Sequence, residues 1–181
     1  MEALQVYVKA AHGRELVPLY ANKTRWNGIL YMSKRFLKIR FEIHKSLIDA
    51  QKSSMYPTES EIDLIEEVVA ALDVVEATTR HLQGRKVTLA EADRVFQYTL
   101  KEIHELKTPF ADRLYDALIA RILERRHKIF STAHAYLEKA SIMQSKDLIL
   151  PRATKKDITK FFEELFVRLY QSNEQGPEVI D

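Results

Sequence analysis

The sequence predicts an all-α protein, a helical bundle of about five main helices with long antiparallel members, and three observations carry that expectation. Four Gly and five Pro in 181 residues leave few places for turns. Apolar residues recur at three-and-four spacing over long stretches, the period of one helix face. Thr followed three residues later by Glu occurs at Thr58-Glu61 and at Thr88-Glu91. In that pattern the hydroxyl caps a free helical N–H and the carboxylate reaches back to the cap residue's own amide.

Met1 to Ala11 opens the chain, with Leu4, Val6 and Val8 partly inward. A short helix fits, and Val6-Tyr7-Val8 also suits a strand. His12-Gly13 and Pro18 interrupt the pattern. The next run, from Thr24 to Ala50, is the longest amphipathic stretch of the first half. It places Trp26, Ile29, Leu30, Phe36, Leu37, Ile43, Leu47 and Ile48 on one face. Asn22 or Thr24 can cap it, and as one helix it would be about 40 Å long at 1.5 Å per residue. Gly28 weakens its start by roughly 1 kcal/mol relative to Ala. Residues Ser53 to Pro57 read as a loop.

From Thr58 a helix buries Ile62, Ile65, Val68, Val69, Leu72, Val75 and Leu82, with Gly84 as a stop in the left-handed conformation. A helix from Thr88 uses Leu89, Ala92, Val95, Phe96, Leu100 and Ile103. Thr108-Pro109 restarts the chain with Pro at the first helical position. Leu114, Ala117, Leu118, Ile122, Ile129, Ala133, Tyr136 and Leu137 then point inward, with a kink or break expected near Ser131-Thr132. Ser145 to Pro151 is a connector. Thr154 caps a last helix that buries Ile158, Phe161, Phe162, Leu165, Phe166 and Leu169. Residues 1–171 thus read as a single helical domain and 172–181 as a polar tail.

Charge is segregated along the chain. Lys23 to Lys45 holds seven basic residues and one acid, and Thr58 to Leu82 holds seven acids and one base. A short loop joins the two helices, so they are expected to lie antiparallel with their fields largely cancelling. The overall net charge of +2 does not by itself imply nucleic acid. With no Cys, disulfides, thiolate zinc sites and Cys nucleophiles are excluded. No apolar run approaches the length of a membrane span, and the N-terminus lacks the basic-then-apolar pattern of a signal peptide. No Gly-rich phosphate loop, zinc-protease helix or nucleophile motif occurs. Catalytic, cofactor-binding and metal-ligating residues are therefore expected to be absent.

The candidate contact residues are Arg25, Trp26, Lys34, Lys38, Arg121, Arg125 and Lys128. Lys34 and Lys38, with Lys45, share one side of the first long helix. Arg121, Arg125 and Lys128 stand at i, i+4 and i+7 on the fourth. Either stripe can track a phosphate backbone or be a solvated face. Trp26, the only Trp, can be a core residue or a stacking platform. Arg25 can contact phosphate, stack on an aromatic, or lie solvated at the helix start.

The cluster Thr24-Arg25-Trp26-Asn27, followed by Tyr31-Met32 and Phe36-Leu37, resembles the hAT transposase superfamily. The upstream Val6 to Leu16 region with Leu19 and the later Ala133-His134-Ala135-Tyr136-Leu137 are similar too. The likeness extends roughly from Ala3 to Met143, and its specific part is the Thr-Arg-Trp-Asn cluster. Gly28 stands where that family commonly has Ser, and Glu138-Lys139 where it often has Asp-Pro. The resemblance implies a large helical domain inserted into a ribonuclease-H-like fold, whose three metal-holding acids cleave and transfer strands. It implies that Trp26 helps accommodate a flipped base. The family's catalytic-acid motifs are not recognisable in this chain, which then corresponds to the helical part alone. The resemblance thus implies a nuclear, non-catalytic domain that binds DNA, protein or both. The alternative is a protein-interaction scaffold within a transposase-derived nuclear or chromatin-associated regulatory protein. The parent could be an active transposase or a host protein descended from one. A protein partner is expected, DNA is the second class, and neither a membrane nor a cofactor is.

Overall fold

A computed structural model of the chain describes residues 2–20, 27–138 and 148–174. Arg25 and Trp26, with the Asn22 or Thr24 cap, lie outside the described residues. Among those described, the chain forms eight α-helices and no strand: α1 (Glu2–His12), α2 (Asn27–Lys38), α3 (Arg40–Asp49), α4 (Glu59–Leu82), α5 (Leu89–Glu105), α6 (Pro109–Arg125), α7 (Lys128–Glu138) and α8 (Lys155–Glu174). A 3-10 turn, Ser53–Met55, lies within the predicted loop. The all-α helical bundle is therefore as expected. It divides into two compact units, residues 1–80 with 102–115 and residues 81–101 with 116–181.

In the first unit the open question at the N-terminus resolves to a helix. A strand would put Leu4, Val6 and Val8 on one face. Instead Leu4 and Val8, one turn apart, are buried and Val6 is 68% exposed. The helix ends where Gly13, in the left-handed region at φ +66°, donates its amide to the Lys9 carbonyl. Leu4 and Val8 pack with Leu16 and Ile39, and Ile43 leans on them.

Ile39 also explains why the long basic helix is two helices rather than one. Its amide reaches both the Arg35 and Phe36 carbonyls, at 3.2 and 3.1 Å, and its φ/ψ of −115°/19° leaves the helical region. The bend buries the Ile39 side chain completely. Ile29 and Ile48, expected on the buried face, are instead exposed.

The antiparallel pairing of the basic and acidic helices is present. Tyr31 donates to Glu76 at 3.0 Å, Lys34 pairs with Asp73, and Arg40 pairs with Glu66 at 2.6 Å. As the chain ascends from 31 in α2 to 40 at the start of α3, α4 descends from 76 to 66.

The helix starts behave as their sequences dictate, with one variation. Thr58 and Glu61 make the full reciprocal box: the Thr58 amide donates to Glu61 at 2.8 Å and the Glu61 amide to the Thr58 hydroxyl at 3.4 Å. The Thr58 amide, and then its hydroxyl, hold the Glu61 carboxyl below the usual carboxylate range. At Thr88 only half of the box forms. The Glu91 amide donates to Thr88 at 3.2 Å, while the Glu91 carboxylate meets His81 at 2.9 Å. Thr108 caps α6, and Thr154 and Asp157 form a reciprocal box at α8.

The stops differ more. Gly84 is not in the left-handed conformation. A Cβ there would meet the His81 carbonyl at 3.1 Å and the Val87 side chain at 3.2 Å, so smallness rather than backbone freedom suits it. The left-handed positions after α3 and α5 are Gln51 and Lys107, which no composition rule marks.

In the second unit, α7 packs on α8 through Ala133 and Ile158 together with Ala153 just before α8, and Ile129, Phe161 and Phe162 lie against them. Phe130 meets Phe161 edge-on at 5.0 Å. The apolar face of α8 is covered only over its first turns: Leu165, Phe166 and Leu169, expected inward, are 40%, 66% and 59% exposed. Leu137, also expected inward, is exposed. The last helix runs to Glu174, past the position where the polar tail was expected to begin.

Candidate macromolecule-binding groove

The second unit holds a buried polar network that sequence reasoning did not find. Asp93 lies on the apolar side of α5, between Leu89 and Phe96 in helical register. A carboxylate there must be paired or pay heavily for lost water. Its partner is Arg126, just after α6: Nη2 donates to Asp93 Oδ2 at 3.0 Å, and Nε donates to Oδ1. Both side chains are under a tenth exposed. The same guanidinium donates to the Pro151 carbonyl at 2.7 Å.

This pairing explains where the fourth long run breaks. The break falls at Arg126-His127 and not at Ser131-Thr132. The Arg126 amide still closes α6 on the Ile122 carbonyl at 2.7 Å, but its side chain is committed to α5 and to the 148–154 segment. Ser131 and Thr132 lie within α7 and are buried.

Two further side chains hold the 148–154 segment. The Gln97 side-chain oxygen accepts the amides of Ile149 and Leu150, at 3.0 and 3.4 Å. The Thr132 hydroxyl accepts the Ala153 amide at 3.0 Å while donating to the Lys128 carbonyl at 2.7 Å. Thr132→Val keeps the shape but leaves the Ala153 amide without its acceptor. It is expected to cost about 1–3 kcal/mol, measured as a lower urea midpoint with an unchanged slope. Beside this network, burial lowers the pKa of Arg152; Asp93 opposes that shift and Arg126 adds to it.

Above the Asp93–Arg126 pair lies an open groove of about 540 Å³. The α5 side contributes Leu89, Ala92, Asp93 and Phe96, and the α6 side contributes Leu118, Arg121, Ile122 and Arg125. Arg126, His127 and Ser131 close one end. Each helix therefore presents an i, i+3, i+4, i+7 ridge, about 10 Å long at the helical rise. The floor is aliphatic apart from Phe96, and the rim is basic. Arg121 is paired with exposed Glu124 at 2.5 Å. Arg125 is exposed and has no ion pair among the described residues. His127 sits edge-on to Phe130 at 4.5 Å.

The sequence-nominated residues that the structure describes do not form one surface. Arg121 and Arg125 meet at this groove. Lys128 does not join them, because the break carries it onto α7. There it faces a separate cleft with His127, Ala153 and Asp157. The Asp157 carboxyl is held low by its bonds to Thr154, with the charges of Lys128 and Lys156 adding to that. Lys34 is tied to Asp73 in the first unit. Lys38 is exposed, with no ion pair among the described residues.

Among the described residues, no group of three or more His, Asp or Glu side chains could hold a metal ion. No helix among them is long and apolar enough to cross a membrane. Comparison of the chain with protein families, curated proteins and solved structures gives no match.

Proposed function

We propose that this chain is a non-catalytic helical binding domain, of the hAT-transposase-like kind, that engages a protein partner through the groove formed by α5, α6 and the start of α7. The observation that carries the reading is an apolar floor under a basic rim. Such a floor rewards burial of apolar side chains, which a protein supplies and a phosphate backbone does not. The first basic helix gives it some support: Lys34 and Arg40 are drawn against Asp73 and Glu66, while Lys38 stays exposed.

A second reading, DNA binding along Arg121, Arg125 and Lys128, is favoured by one observation: Arg125 and Lys128 are exposed and free of ion pairs among the described residues. A nuclear location accompanies both readings.

Titration of a labelled DNA duplex between about 50 and 200 mM salt separates them. The protein reading expects weak, non-selective DNA binding that falls steeply with salt. Arg121→Ala and Arg125→Ala should each flatten the slope by about one. Tight or sequence-selective DNA binding that either Arg variant abolishes, and that Ala92→Trp in the groove floor leaves unchanged, would replace it with the DNA reading.

A further inference from the structure

We infer that the occupant of this groove is an acidic amphipathic α-helix of a partner protein. The inference rests on the reading of the groove as a protein-binding site, and it adds the partner's secondary structure and charge.

The shape argues for a helix. The groove walls are helices whose backbone N–H and C=O groups are already bonded within their own turns. An extended peptide laid between them would find few backbone partners and would bury its own polar groups at a cost. A helix arrives with those bonds made. The two ridges, each at i, i+3, i+4 and i+7, form a trough between side-chain rows of the kind into which a third helix sets its own ridge.

The charge argues for acid. Asp93 is the one carboxylate in the lining, and it is consumed by Arg126. What remains at the rim is Arg125, Arg121 with its exposed Glu124, and His127. Asp or Glu residues flanking the apolar stripe of an incoming helix would meet the Arg125 and Arg121 guanidinium groups, and Lys or Arg residues would be repelled. Nucleic acid fits less well. A single aromatic in the floor offers no platform for successive bases, and a phosphate over Leu89, Ala92 and Ile122 would lose water without gaining a donor.

The test is a displayed library of helical peptides about five turns long. Leu is fixed at i, i+3, i+4 and i+7, and the flanking positions are randomised among Glu, Gln and Lys. It is selected on the full chain, with Ala92→Trp, which fills the groove, and Arg125→Glu, an exposed charge reversal, as parallel baits. Circular dichroism and thermal midpoints verify both variants, and Arg125→Glu carries the test if Ala92→Trp does not fold.

Glu-flanked sequences should be enriched on the wild type. They should bind Ala92→Trp at least about tenfold more weakly, and Arg125→Glu should turn the preference towards Lys. Enrichment that depends on the groove but favours Lys or Gln, or shows no charge preference, would overturn the acidic helix and leave the groove reading standing. No enrichment, or enrichment indifferent to both substitutions, would overturn both.

Discussion

Asp93→Ala is expected to destabilise the chain by about 3–5 kcal/mol, because it leaves the largely covered Arg126 guanidinium without its carboxylate. The value exceeds that of an ordinary ion pair because both side chains are more than nine-tenths covered. The loss propagates through geometry. Arg126 also holds the Pro151 carbonyl, so an unpaired guanidinium that turns outward releases the segment leading into α8. Thermal unfolding followed at 222 nm measures the effect. The double replacement Asp93→Leu with Arg126→Met should recover most of it, since removing both charges removes the burial penalty. A single variant as stable as wild type would mean that the pair is hydrated and that its covered position contributes nothing.

Ile39→Ala is the second large effect, at about 2–5 kcal/mol. The side chain is fully buried against Leu4, Val8 and Leu16 at the bend between α2 and α3. Truncation leaves a cavity beneath α1, whose contacts with this cluster include its two buried residues, Leu4 and Val8. Hydrogen exchange of the α1 amides should therefore accelerate before that of the rest of the first unit. Ile48→Ala serves as the control: half-exposed on the outer side of α3, it should change stability by no more than about 0.5 kcal/mol. Equal effects of the two substitutions would contradict the packing described.

These two sites mark the limit of what local sequence pattern conveys. Helix starts were legible at Thr58, Thr88, Thr108 and Thr154 because a cap is a local bargain between a hydroxyl and an amide a few residues away. The breaks at Ile39 and at Arg126-His127 were not, because neither uses Gly or Pro. At Ile39 the hydrogen-bond ladder is barely interrupted, and burial against α1 decides the bend. At Arg126 the deciding contact comes from Asp93, distant in sequence. One signal was present: Asp93 is an acid on an otherwise apolar face, which demands a buried cation.

The groove was half legible. Its rim residues Arg121 and Arg125 stood out as a basic stripe. Its floor residues Leu89, Ala92, Phe96, Leu118 and Ile122 read simply as inward-facing, since periodicity identifies an apolar face without saying what covers it. The same ambiguity placed Leu165, Phe166 and Leu169 inward when they are exposed.

The apolar, basic-rimmed groove is the proposed contact surface of the second unit. Its most direct test is calorimetric titration of a Glu-flanked amphipathic helix, selected on the wild type, into wild-type protein and into Ala92→Trp. Binding to the wild type is expected to be micromolar, with a negative heat-capacity change from apolar burial. For a folded Ala92→Trp the Kd should be at least about tenfold weaker. An unchanged Kd in that variant would contradict it.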